Sequence, residues 1–233
     1  MENAILMASG LGTRMLPLTK TTPKPLLKVG ETPMIETVIG GLLKRGVENI
    51  YIVVGYLGEQ FEYLKEKYSN VTIIKNPDYL TINNISSIYA AREVLKNADC
   101  FICEADLYVS DPSIFNANLD YSCYFGKMIE GHSDDWVFDL DENGIITRVG
   151  KFGDDCYNMA GIAFLKKSDA QILAGAIEET YHKPGYENLF WDEVVDRNLD
   201  KLKLKVHPVE PGKIIEIDTV EELTKVREEI YAS

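Results

Sequence analysis

Cysteine is scarce. Four residues in 233, Cys100, Cys103, Cys123 and Cys156, are too few for a disulfide scaffold in a chain of this length. Cys100-Phe101-Ile102-Cys103 spells CxxC, but it lies in an apolar run that reads as a strand, where positions i and i+3 face opposite sides; these are read as reduced core thiols. The three histidines, His132, His182 and His207, are isolated, suggest neither a triad nor a zinc site, and are read as surface residues. Basic charge is in deficit as well: 24 Lys+Arg against 37 Asp+Glu leave a net charge of −13, so a nucleic-acid or anionic-bilayer partner would be repelled over most of the surface. No apolar run approaches the ~20 residues of a membrane helix. The segment Met1 to Ala8 has no basic n-region either, so no signal peptide is expected and the protein is read as cytoplasmic.

What is present is an ordinary globular composition, 45% hydrophobic and 26% charged. Ala4 to Ala8, Glu48 to Val54 and Val71 to Lys75 are short apolar runs rich in Ile and Val, and read as buried strands. Between them Pro33 to Arg45 and Glu59 to Tyr68 have helical spacing, with Pro33 suited to a first turn and Gly46 to a C-cap. Ser86 to Leu95 continues as a helix, and Asp99 to Cys103 as a fourth strand ending in Glu104-Ala105-Asp106. This alternation predicts an α/β fold with a parallel sheet.

After Asp111-Pro112 the texture changes. Tyr121 to Lys127, Trp136 to Leu140, Ile145 to Val149 and Met159 to Leu165 alternate between turn signals and predict antiparallel additions. Helices at Lys167 to Thr180 and Glu187 to Asn198 follow. Strands near Leu202 to Val206 and Ile214 to Ile217 then lead into a helix, Val220 to Tyr231, with Thr219 as N-cap. With no repeat and no linker, 1–233 is expected to form one domain.

The densest chemical signal is the loop Ala8-Ser9-Gly10-Leu11-Gly12-Thr13-Arg14, followed by Pro23-Lys24-Pro25-Leu26. Small residues admit a ligand to backbone N–H groups, and Arg14 and Lys24 supply donors for phosphate oxygens. The glycines alone would equally make a turn with solvated cations. Neither common phosphate fingerprint applies: Met15 replaces the third glycine of the dinucleotide motif, and no Gly-Lys-Ser/Thr follows.

GLGTRMLPLT followed by PKPLLKV resembles the signature of the nucleotidyltransferase superfamily that makes nucleoside-diphosphate sugars and CDP-alcohols. Pro33-Met34-Ile35-Glu36, Val53-Val54-Gly55-Tyr56, Asn83-Asn84, Glu104-Ala105-Asp106 and Glu216-Ile217-Asp218 occur in that family's order across nearly the whole chain. Through GYLGEQFEYLKEKY, Asn83-Asn84, Trp136 and Phe190-Trp191-Asp192, the chain resembles the bacterial CTP:phosphocholine cytidylyltransferases within it. The resemblance implies a Rossmann-like three-layer αβα fold with a mixed, mostly parallel sheet. It also implies a nucleotide-binding half, 1–110, and an acceptor-binding half, 111–233.

It further implies that Asp106 and Asp218, with Glu216 directly or through water, coordinate Mg²⁺, though a single Asp at a strand end more often caps a turn. A phosphomonoester oxygen would attack the α-phosphorus of CTP and release pyrophosphate, with Arg14 over the leaving group and Lys24 near the reacting phosphate. Base and ribose contacts fall to the loop and to Gly55, Tyr56, Asn84, Ser87 and Ala105; Tyr56 would stack or simply pack. Trp136, Phe190 and Trp191, with Asp192, would hold a quaternary ammonium by cation–π attraction. One departure stands out: Ile85-Ser86 after the Asn pair carries no aromatic, where a phosphocholine enzyme that it resembles has Phe and Tyr. The expected product is CDP-choline. The same chemistry on 2-aminoethylphosphonate, phosphoethanolamine or a sugar 1-phosphate is the alternative, and a non-catalytic nucleotide-binding module a distant one. Small-molecule substrates, and a monomer or homodimer, are expected.

Overall fold

A computed structural model of the chain describes residues 1–231. In chain order the strands are β1 (Glu2–Ala8), β2 (Lys28–Val29), β3 (Thr32–Pro33), β4 (Asn49–Val54), β5 (Val71–Lys75), β6 (Asp99–Glu104), β7 (Leu107–Val109), β8 (Cys123–Met128), β9 (His132–Leu140), β10 (Ile146–Asp154), β11 (Tyr157–Leu165), β12 (Lys205–Pro208) and β13 (Ile214–Glu216). The helices are α1 (Met34–Arg45), α2 (Tyr63–Lys67), α3 (Ile85–Ala90), α4 (Arg92–Leu95), α5 (Lys167–Thr180), α6 (Trp191–Asp196) and α7 (Val220–Tyr231).

Nine strands form one mixed sheet, and β6-β1-β4-β5 is its parallel heart. The chain winds outward from β1 to β4 and β5, then returns to place β6 on the other side of β1. The strand order therefore reverses between β1 and β6, and at such a reversal the carboxyl ends of the strands open a crevice. Antiparallel β11 joins β6 and carries β8 and the long β9–β10 hairpin.

The sheet's two faces are covered by different helices. Ile35, Val38, Phe61 and Leu64 of the α1–α2 side pack on one, and Ile88, Leu95, Leu173, Ile177 and Val194 of α3 to α6 on the other. Cys103 and Cys100 divide between these two cores, as period-2 alternation requires, and burial pushes both thiols up. A third cluster of Met15, Leu27, Val29, Met34, Ile217, Leu223 and Val226 ties the loop after β1 to α7. Burying each such side chain contributes about 1.5–3 kcal/mol, which fixes that loop against the C-terminal segment. No helix among the described residues is long and apolar enough to cross a membrane.

Several boundaries differ from the sequence expectation. Pro33 lies outside the first turn of α1: its extended ψ of 141° lets it pair with Lys28 across the β2–β3 hairpin. Gly46 does cap α1, in the left-handed conformation. The helix expected at 59–68 is a 3₁₀ turn, Gly58–Phe61, followed by α2, and that at 86–95 divides at Ala91. The strand expected at 202–206 starts at Lys205. β7 was not expected at all. It pairs only with β13, off the main sheet, and the 3₁₀ turn Pro112–Asn116 follows. His207 is half-buried against Phe125 rather than on the surface, and burial depresses its pKa.

Candidate active site

A cavity of about 730 Å³ opens at the strand-order reversal. One wall is the loop after β1. Ser9 is held there by its hydroxyl, which donates to Val53 O, and by its carbonyl, which accepts from Tyr56 N. Gly12 turns the loop with φ 63°, and a Cβ on it would lie 3.0 Å from side-chain carbons of Lys24 and Thr19, so both the conformation and the space require glycine. Among the described residues the amides of Gly10, Leu11 and Gly12 have no hydrogen-bond acceptor. Unspent N–H groups in a turn of this kind form a concavity for anionic oxygen.

Lys24 enters from the 3₁₀ turn Lys24–Leu26, where Pro23 and Pro25 restrict the backbone. It is only 7% exposed, and its Nζ lies 2.6 Å from Asp106 Oδ2 and 2.6 Å from Asp218 Oδ1. Burial alone would lower its pKa, but the two carboxylates outweigh burial and hold it above the ordinary lysine value. Arg14, mostly exposed, places Nη2 2.8 Å from the same Asp218 Oδ1. Asp106 follows β6 and Asp218 follows β13; Ile217 N donates to Asp106 O, joining the two ends. Glu222 accepts from Asp218 N and Thr219 N while Thr219 Oγ1 accepts from Glu222 N, so the cap of α7 fixes Asp218.

Glu216 completes an acidic triad: one oxygen each from Asp106, Glu216 and Asp218 lie within 4.8 Å of one another. Burial, then the charges of Asp106 and Asp218, push the Glu216 carboxyl up to about 8. Glu104 at the cavity wall is held well above the usual carboxylate range by burial and by Glu216 and Asp106. The group is short of positive charge, and its all-oxygen donor set suits a hard divalent cation.

At the far end Trp136 and Phe190 meet with ring centroids 5.4 Å apart at 62°. Lys151, opposite Trp136 on β10, holds its ammonium 6.0 Å from the Trp136 ring centroid. Asp134 and Asp135 line the cavity beside them.

The expected residues divide accordingly. Ala8, Ser9, Gly10, Gly12, Thr13, Arg14, Lys24, Asn84, Ser87, Asp106, Trp136, Phe190, Glu216 and Asp218 line the cavity. Trp191 and Asp192 do not. Trp191 is 3% exposed and stacks on Tyr124 at 5.7 Å, and Asp192, 2% exposed, accepts from Tyr124 Oη at 3.0 Å. Both are core residues beneath the site, because α6 begins at Trp191 and turns these two inward while Phe190 stays outside. Asn84 Oδ1 accepts from Trp191 N, fixing that turn. Tyr56 packs outside the cavity, its hydroxyl donating to Thr19 O. Gly55 also lies outside; a Cβ there would sit 2.4 Å from Tyr79 Cγ. Leu11 is exposed on the loop, and Ala105 is buried. Glu104, Asp134, Asp135 and Lys151 were missed by sequence reasoning. The alternation of β9 around Trp136 and its hairpin with β10 were the available signals for the last three.

A family model described as nucleotidyl transferase matches residues 3–135. The chain is 55% identical over 221 residues to a 2-aminoethylphosphonate cytidylyltransferase of Lancefieldella rimae, covering 95% of this chain and 90% of that protein. It is 35% identical over 231 residues to a choline-phosphate cytidylyltransferase of Streptococcus pneumoniae, covering 97% and 96%. The solved CTP:phosphocholine cytidylyltransferase from Streptococcus pneumoniae superposes with a TM-score of 0.90 at 33% identity, over 98% of this chain and 99% of that one.

Proposed function

Because the chain belongs to the nucleotidyl transferase family, we propose that it transfers the cytidylyl group of CTP to 2-aminoethylphosphonate and releases pyrophosphate. The observation that carries the choice of acceptor is the composition of the cavity's far end. Trp191 is withdrawn into the core, Lys151 already lies toward the Trp136 ring, and Asp134 and Asp135 stand alongside. A trimethylammonium head group is held by aromatic faces, whereas a primary ammonium needs oxygen acceptors for its N–H bonds. The 55% identity to a 2-aminoethylphosphonate cytidylyltransferase supports the same reading. Phosphocholine is the second reading, favoured by the Trp136–Phe190 pair and by the choline-phosphate relatives.

In the reaction a phosphonate oxygen attacks the α-phosphorus in line, the new P–O bond forms, and the bond to the bridging α–β oxygen breaks. No protein nucleophile is required, so catalysis rests on positioning and charge. The free amides of Gly10 to Gly12 and the Arg14 guanidinium receive the departing pyrophosphate. Lys24, turning from its carboxylates, neutralises the reacting phosphate. Asp106, Glu216 and Asp218 fit Mg²⁺ and would hold it; when bound, the ion offsets negative charge on the phosphate oxygens. The test is kcat/KM across 2-aminoethylphosphonate, phosphocholine, phosphoethanolamine and a sugar 1-phosphate, each with CTP and UTP. The highest value is expected for 2-aminoethylphosphonate with CTP; a tenfold preference for phosphocholine would overturn the acceptor choice.

A further inference from the structure

Two side chains on adjoining strands, just behind the residues that line the cavity, have unmet bonding capacity and stand side by side. Lys127 on β8 pairs in register with Asn158 on β11, so their side chains leave the same face, with Cβ atoms about 4.5–5.5 Å apart for a directly opposed pair. Asn158 Oδ1 is the one buried side-chain polar atom without a hydrogen-bond partner among the described residues. Lys127 is half-buried, and among the described residues its ammonium makes no ion pair with a carboxylate. Such groups are rare in folded proteins, since an unsatisfied buried donor or acceptor is costly.

Their surroundings point to the stretch of the cavity between the acidic triad and the Trp136 end. The carboxylates whose charge bears on the Lys127 ammonium are Glu216 and Asp135, and both line the cavity. On β9, register places Val137 opposite Asn158, and period-2 alternation puts Asp135 on that same face. An unpaired cation next to an unpaired oxygen acceptor calls for a ligand with an anionic oxygen and an N–H donor a short distance apart. A small zwitterion whose two carbons join a phosphorus oxyanion to a primary ammonium has that form.

We propose that Lys127 and Asn158 bind the acceptor and set its class: Lys127 takes a phosphorus-bound oxygen, and Asn158 Oδ1 accepts an N–H of a primary ammonium. This rests on the acceptor reading above. It adds two residues that neither the loop nor the aromatic pair supplies. A trimethylammonium offers no N–H, so it gains nothing from Asn158.

The test is steady-state kinetics on the full chain with 2-aminoethylphosphonate and phosphocholine. Lys127→Met raises KM for either acceptor at least about tenfold while KM for CTP stays within twofold, and Lys127→Arg recovers most of the loss. Asn158→Leu lowers the ratio of kcat/KM for 2-aminoethylphosphonate over phosphocholine at least about tenfold. If circular dichroism shows either variant misfolded, Lys127→Gln and Asn158→Ala replace them. Folded variants with acceptor KM and selectivity within twofold of wild type overturn this inference alone. Absence of wild-type turnover with 2-aminoethylphosphonate overturns the acceptor reading and this inference with it.

Discussion

The ammonium of Lys24 donates to Asp218 Oδ1 across 2.6 Å, although 194 positions separate the two in sequence. The same ammonium donates to Asp106, so it occupies oxygens from two of the three carboxylates that fit a divalent cation. An ammonium and a metal ion compete for those oxygens. Replacing Lys24 by Met is expected to tighten Mn²⁺ binding to the nucleotide-free protein at least tenfold, about 1.4 kcal/mol. Turnover should fall by about 10²-fold or more, the scale of losing one preorganised charge. Titration calorimetry checks the first and pyrophosphate release the second; unchanged Mn²⁺ affinity would refute the shared site.

The two tryptophans should separate cleanly under mutation. Trp136 lines the cavity and Trp191 is stacked in the core. Trp136→Ala is expected to raise the acceptor KM with little change in melting temperature. Trp191→Ala should cost about 3–5 kcal/mol of stability, as loss of a large buried ring does. Thermal unfolding alongside acceptor titration distinguishes them, and the reverse pattern would contradict the assignment.

Asp192 gives a pH dependence of defined sign. Burial pushes its carboxyl up to about 7, against the opposing Tyr124 hydrogen bond, from an ordinary value near 3.8. Between about pH 4 and pH 7 the folded state therefore keeps a proton that the unfolded state has lost, and this residue's contribution to stability declines as pH rises through that window. Asn mimics the protonated acid at every pH. The stability of Asp192→Asn relative to wild type should rise from pH 4 to pH 7 and level off above; a flat difference would show that Asp192 is ionised in the fold.

Much of this was legible in the sequence where the controlling interactions are local. Ile- and Val-rich runs marked β4 and β5, Gly46 the end of α1, and Thr219 the cap that fixes Asp218. What escaped depends on partners far along the chain. β7 is three residues long and becomes a strand only because β13, which was expected, lies beside it. Phe190 and Trp191 are neighbours in sequence, yet the first helical residue separates them into cavity and core. That direction is set by Asn84, 107 positions away. That the loop at 8–14 would line the site was readable, but not that Lys24 would be held by Asp106 and Asp218.

The most direct test of cytidylyl transfer to an aminophosphonate is ³¹P NMR of a reaction containing the protein, CTP, Mg²⁺ and 2-aminoethylphosphonate. The account predicts pyrophosphate and a mixed phosphonate–phosphate anhydride of CMP appearing in equal amounts as CTP disappears. CTP left intact, or converted to CMP and pyrophosphate with the phosphonate resonance unchanged, would contradict it.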